Sequence, residues 1–204
     1  MDVLEFFQMS AGIWHSHRIT HHLLLRRSES GNTQIEVKVL GPADPQVIEI
    51  CQLHQVPADQ AIGGCFVQWQ GAMAWDRDEE GDHRGSTVFV LVPHPDHPDS
   101  GQLLRERGYA ENVPVVGHYQ VDPQKGLVLT TEYNTISSQE CFRFVTPNLR
   151  LRTTTVKRFG GFNTTSLCAE TKLMGDALPL NPKSVVNSTP SEPRSARAPS
   201  WLGW

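Results

Sequence analysis

The sequence predicts a mostly β protein, a closed antiparallel β-barrel carrying one or two short helices. Three observations lead there. Short candidate strands follow one another along the chain, separated by turn signals; helical spacing is confined to the first quarter; and the intervening turns are short enough to make neighbouring strands antiparallel. Many short strands with few helices form a barrel or a sandwich. A small barrel is preferred because closure removes sheet edges and leaves space for one small ligand.

Taken in order, Asp2 caps a first helix, with Glu5 three residues on completing a capping box and Leu4, Phe6, Phe7 and Met9 supplying the apolar side. A second helix starts at Asp44-Pro45, since Asp suits the N-cap and Pro the first helical turn. Val47, Ile48, Cys51 and Leu53 carry its spacing up to His54. Strands are expected over 16–26, 34–40, 63–70, 72–77, 86–92, 114–121, 127–134, 139–146, 149–158 and 163–173. Gly31-Asn32, Gly41-Pro42, Gly71, Asp122–Gly126 and Pro147-Asn148 punctuate them, and alternation is plain in Ile35/Val37/Val39 and Val67/Trp69. Gly63-Gly64 and Gly160-Gly161 read as corners or bulges.

Residues 1–174 are therefore expected to form one barrel domain. The last 30 residues, Gly175 to Trp204, hold 5 of the 14 prolines and 5 serines without apolar periodicity. They read as a flexible tail (175–204), because such a segment buries too little surface to offset its ordering entropy. Its apolar tip, Trp201-Leu202-Gly203-Trp204, reads as a docking peptide or, more simply, as an exposed terminus.

The composition excludes several classes. The chain has 204 residues, 38% hydrophobic and 20% charged, with mean hydropathy −0.36 and a mass of 22.8 kDa. No apolar run is long enough for a membrane span, and the start (Met1, Asp2, Glu5) lacks the pattern of a secretory signal. A net charge of −4 and a pI near 6.1 weigh against a nucleic-acid binder. Cys51, Cys65, Cys141 and Cys168 stand far apart, as reduced thiols of a cytoplasmic protein do. His15, His17, His21 and His22 crowd the first strand, but no Cys or carboxylate completes a metal signature, so no metal site is expected. Neither a nucleophile elbow nor a phosphate-binding glycine loop occurs.

The informative segment runs from Pro147 to Arg158. In a strand, Arg150, Arg152, Thr154, Val156 and Arg158 share one face, and Leu149, Leu151, Thr153, Thr155 and Lys157 the other. Guanidinium groups two residues apart, followed by a hydroxyl, make an anion-binding row, because Arg is always charged and grips carboxylate bidentately. The alternative is the solvated face of an exposed strand. Charge is polarised along the chain: 141–174 holds six Lys or Arg against Glu170 alone, whereas 76–111 holds nine acids against four bases. A basic strip within an acidic protein suits one anionic small molecule better than DNA. Trp69 and Trp75, around Gly71, read as core or as the wall of a pocket for a flat conjugated ligand. Glu132 shares its face with Val128 and Thr130, and points either outward or at a buried ligand.

These residues resemble the CpcS/CpeS-type phycobiliprotein lyases. The matching stretches are Phe6-Phe7, Ala11-Gly12-Ile13-Trp14, Ser16 to Leu23, Ser28-Glu29-Ser30-Gly31, Gly85-Ser86-Thr87, Gly108-Tyr109-Ala110-Glu111, Thr131-Glu132-Tyr133, Pro147 to Thr153 and Lys157 to Phe162. Together they span 1–174 in the family's order, with Thr154 where many relatives carry Ser. The resemblance implies a lipocalin-like barrel that binds a linear tetrapyrrole (bilin), phycocyanobilin or phycoerythrobilin, without covalent attachment. It implies a lyase that transfers this substrate to a cysteine of a phycobiliprotein subunit, expected to be β, with no permanently bound cofactor. Arg150 and Arg152 would take the bilin propionates, with Arg18 and Thr154 beside them and Trp69 and Trp75 against the conjugated system. Glu132 would pair with the pyrrole nitrogens and assist proton transfer. The four cysteines would be structural. A homodimer and a pairing with a paralogous lyase subunit both stay open. So do two other readings, a non-transferring bilin or lipophile carrier and a noncatalytic phycobilisome assembly factor.

Overall fold

The computed structural model describes residues 1–73, 83–106, 114–160 and 163–174. The chain opens with helix α1 (Val3–Ser10), then strands β1 (Gly12–His22) and β2 (Arg27–Leu40), helix α2 (Pro45–Leu53) and a single 3₁₀ turn at Ala58–Gln60. Strands β3 (Gly63–Met73), β4 (His83–His94), β5 (His97–Arg105), β6 (Val115–Val121) and β7 (Leu127–Glu132) follow. The series ends with β8 (Ile136–Thr146), β9 (Leu149–Arg158) and β10 (Thr164–Lys172). Each strand pairs with its neighbours in sequence, and β1 pairs with β10, so the sheet closes on itself. All pairings are antiparallel. The expected closed antiparallel barrel with two short helices is what forms.

Both helices start where their caps predict. The Asp2 side chain accepts from the Glu5 N–H at 2.7 Å and the Asp44 side chain from the Gln46 N–H at 2.9 Å, relieving donors that have no partner in the first turn. Val3, Phe6 and Phe7 of α1 join the inward residues Trp14, Ile35, Val67, Phe89 and Phe142 in the main apolar core. The Trp14 indole donates to the Ser10 carbonyl at 2.8 Å and Lys172 Nζ to the Met9 carbonyl at 3.2 Å, so α1 is fixed across the end where β1 begins and β10 finishes. Helix α2 covers the outer wall instead. Val47, Ile50 and Cys51 pack on Val88, Val90, Val92 and Leu104, which face away from the lumen.

Several boundaries differ from the sequence reading. The first strand runs 12–22 rather than 16–26, and Leu23–Arg26 is the turn. Gly31-Asn32, expected as a turn, lies inside β2, where Gly31 pairs with Arg18. Gly71, expected to separate two strands, is paired within β3 with Thr33 and His83, so the 72–77 segment is in part a continuation of β3. Residues 97–105, where no strand was expected, form β5 because closure requires a partner for both Val92 and Tyr119, and Gln102 and Gly101 supply it. The expected tail 175–204 and Trp75 lie outside the described residues.

Candidate functional site

The barrel interior has two halves of different chemistry. Toward α1 it is apolar. Toward the other end, the inward positions are Ser16, Arg18 and Thr20 on β1, Ser166, Cys168 and Glu170 on β10, Arg152 and Thr154 on β9, and Glu140 on β8. Register brings these into layers. Arg18, Cys168 and Arg152 lie side by side across β1, β10 and β9, and Thr20, Ser166, Thr154 and Glu140 form the next layer. Thr20 and Ser166 hydroxyls share a hydrogen bond of 2.8 Å.

The arginine row of β9 therefore faces inward, and its leucines face out. Arg150 and Arg152 are 4% and 2% exposed, while Leu151 lies open on the outer wall. This inversion excludes the solvated-face alternative. Burying guanidinium groups demands compensation. Glu170, fully buried, provides most of it: Arg150 Nη2 lies 2.6 Å and Nε 2.7 Å from Oε2, and Arg152 Nε lies 3.0 Å from Oε1. Arg150 also donates to Ser10 Oγ at 2.8 Å and stacks over Trp14 at 4.7 Å and Phe142 at 5.2 Å. It is boxed in on every side and clamps α1 to the wall. Arg152, one step farther from α1, is 3.4 Å from Glu140 Oε1 and 3.6 Å from Cys168 Sγ. Arg105 enters from β5, donating to Thr131 Oγ1 at 2.6 Å with its guanidinium 5.0 Å over Phe89.

The two interior carboxyls are held oppositely. Burial would raise Glu170, but Arg150 and Arg152 overcome it and leave its carboxyl below the ordinary range. Burial pushes Glu140 up, and the more distant Arg152 and Arg105 offset only part of that. Glu140 thus retains its proton to higher pH than an ordinary glutamate. Burial also lowers Arg18. Four buried guanidinium groups (Arg18, Arg105, Arg150, Arg152) outnumber the buried Glu140 and Glu170 together with the half-buried Glu29, which pairs with Thr20 and acts on Arg18, so the described lumen carries excess positive charge.

Glu132 is placed elsewhere. Leu127, Leu129 and Thr131 point inward, so Glu132 falls on the exposed outer face beside Val128 and Thr130. It does not share the space of the arginines. Glu140 and Glu170 are the buried lumen acids among the described residues, and neither was expected; the signal for Glu170 was its isolation among six bases. Trp69 is half-buried against the apolar core, its ring across Gly85, where a Cβ would stand 2.2 Å from Cζ2. It also borders an open groove of about 450 Å³ whose other walls include Gln34, Gln68, Gln70 and Arg84. Cys51, Cys65, Cys141 and Cys168 are all free, and burial drives the Cys65 thiol far up. Among the described residues, no helix is long and apolar enough to cross a membrane.

Comparison with known proteins extends over almost the whole described chain. A family described as CpeS-like protein matches residues 2–173. The chain is 58% identical over 172 residues to a phycocyanobilin lyase subunit, CpcS, from Picosynechococcus sp., covering 84% of this chain and 86% of that one. It is 54% identical over 174 residues to a chromophore lyase CpcS/CpeS from Trichodesmium erythraeum, covering 85% and 88%. The solved structure of the S-type phycobiliprotein lyase CpeS from Guillardia theta superposes with a TM-score of 0.75 at 30% identity, covering 86% of this chain and 94% of that one.

Proposed function

The chain belongs to the CpeS-like family, and from that premise we propose that it is a lyase that holds a bilin in its barrel and attaches it by a thioether bond to a cysteine of a phycobiliprotein subunit. One observation carries the reading onto this chain: a lumen whose four buried guanidinium groups outnumber its carboxyls, Glu140 among them pushed up by burial. A bilin bears two propionates, which neutralise such an excess, and a flat conjugated body that suits the half-buried Trp69. Phycocyanobilin is the preferred pigment in this reading, supported by the name of the relative at 58% identity. The bilin is substrate, the acceptor is the β subunit, and the free thiols support a reducing, cytoplasmic setting.

The residues divide by geometry. Arg150 positions: it is committed to Glu170 and Ser10 and keeps the row in place. Arg152, Arg18 and Thr154, farther from α1, bind propionate. Glu140 is the proton donor in place of Glu132. Addition of the acceptor thiol to the ring A ethylidene forms a C–S bond and leaves a carbon of ring A to be protonated. Glu140 delivers that proton and regains one from the thiol, so the protein ends unchanged. Most of the rate comes from orientation, since a fixed bilin meets the thiol in one geometry.

The test mixes the purified chain with phycocyanobilin and an apo-phycocyanin β subunit and looks for acid-stable, zinc-stained colour on the denatured subunit. Arg18→Met and Arg152→Met are expected to weaken bilin binding about tenfold to a hundredfold, the range for losing a charge-assisted hydrogen bond. Bilin binding with no covalent colour would replace this reading with a carrier; no bilin binding would leave an assembly role.

A further inference from the structure

The end of the barrel opposite α1 carries an arrangement that neither folding nor bilin binding uses. The β1–β2 turn presents three consecutive leucines, Leu23, Leu24 and Leu25, at 56%, 58% and 67% exposure. Turn tips favour polar residues and glycine, and a run of three exposed apolar side chains is unfavourable in a protein that stands alone. Phe159, just past the end of β9, is 86% exposed. The backbone ties these pieces together: the Leu23 N–H donates to the Asn163 carbonyl at 3.2 Å, and the Phe159 N–H to the Thr135 carbonyl at 2.8 Å. Leucines and phenylalanine thus belong to adjacent connections on one side of the rim.

A cationic collar flanks them. Arg26 and Arg27 follow the leucines, and Lys157 and Arg158 precede the phenylalanine. Among the described residues none of these four is in an ion pair. The acids nearby do not cancel them. Glu29 is held by His22 at 3.1 Å, and Glu132 lies on the outer wall two strands from Lys157, with Ser137 between.

We propose that this leucine–phenylalanine rim with its Arg/Lys collar docks the acceptor protein, which would present an acidic surface with an apolar recess beside its reactive thiol. The inference rests on the lyase reading and specifies its partner surface. Charge complementarity selects an acidic partner. Position selects a protein rather than a lipid surface: α1 lies across the opposite end, and this rim stands at the Arg18–Arg152 end of the lumen, where the lyase reading brings the acceptor thiol to the bilin. Exposed aromatic and aliphatic anchors beside charge are the pattern of an interface centre with a polar edge.

The experiment compares the full chain with Leu24→Asp/Phe159→Ser and Arg26→Glu/Arg27→Glu, all surface positions. Phycocyanobilin affinity is measured by absorbance titration, and transfer is measured against apo-phycocyanin β-subunit concentration. The expected result is unchanged bilin affinity, an acceptor KM raised about tenfold in each variant, and kcat within about twofold of the parent. For the charge variant, the gap from the parent should narrow at about 0.5 M NaCl, where exposed charges are screened. Normal bilin binding with an unchanged acceptor KM overturns the docking surface and leaves the lyase reading intact. Failure of the parent chain to bind bilin overturns both. An unchanged acceptor KM combined with loss of binding to phosphatidylglycerol vesicles overturns it in favour of a membrane contact.

Discussion

Glu140 and Glu170 lie on β8 and β10, either side of the arginine strand, and their surroundings give them opposite pH signatures. Glu170, lowered in the folded state, contributes stability above its unfolded pKa of about 4.3 and loses it as pH falls through the folded value. Glu140, raised in the folded state, does the reverse: its contribution is full below about pH 4.3 and is lost as pH rises through the folded value. Thermal unfolding of Glu140→Gln and Glu170→Gln across pH 4 to pH 9 should separate them. The Tm of Glu140→Gln relative to the parent should climb with pH. Glu170→Gln should be destabilised by about 3–5 kcal/mol near neutrality, since Arg150 and Arg152 would lose their buried counter-charge. A pH-independent difference for Glu140→Gln would sink the account of that carboxyl. At this scale the arginine row was legible in the sequence because Arg-x-Arg-x-Thr has one strand parity, yet its direction was not. Ordinary amphipathic logic sends Leu149 and Leu151 inward, and only the acids on the neighbouring strands reverse that. A lone glutamate such as Glu140, among Ser138 and Phe142, carries no mark in the sequence of what it will face.

Helix α1 was legible because its cap and apolar side are local chemistry. Asp2→Ala should cost about 1 kcal/mol, the usual worth of an N-cap, and should loosen the plug that Arg150 and Lys172 hold. Strand limits were less legible where pairing, rather than propensity, decides them. Gly64 is one case: a Cβ there would lie 2.1 Å from the Phe89 carbonyl oxygen, backbone that cannot yield cheaply. Gly64→Ala should therefore lose about 2 kcal/mol and about 4–8 °C of Tm in a chain of this length, measured by calorimetry. In β5, His97-Pro98-Asp99-Ser100-Gly101 shows neither alternation nor β-branched residues, and it becomes a strand because β4 and β6 leave a gap there. Gly31 and Gly71 mislead for the same reason. Glycine signals a turn in isolation, whereas here both lie mid-strand, and at Gly71 an added Cβ would meet the Asn32 carbonyl oxygen at 2.7 Å.

Over the molecule as a whole, closure leaves no unpaired strand edge among the described residues, so an apolar rim can be displayed without inviting sheet-to-sheet growth. The long-range gradient of charge read along the sequence becomes a spatial one: basic groups line the lumen and one side of the rim. With α1 fixed across one end, the lyase and docking readings bring both reactants to the other. That has a kinetic consequence. Pigment must load before the acceptor docks, because an acceptor seated on an empty barrel shuts the route in. Initial rates should therefore follow a compulsory order, with excess apo-subunit slowing turnover and added bilin relieving the slowdown; insensitivity to acceptor excess would mean a second way in. A shared approach enforces sequence in time: what enters first leaves attached to what arrived after it.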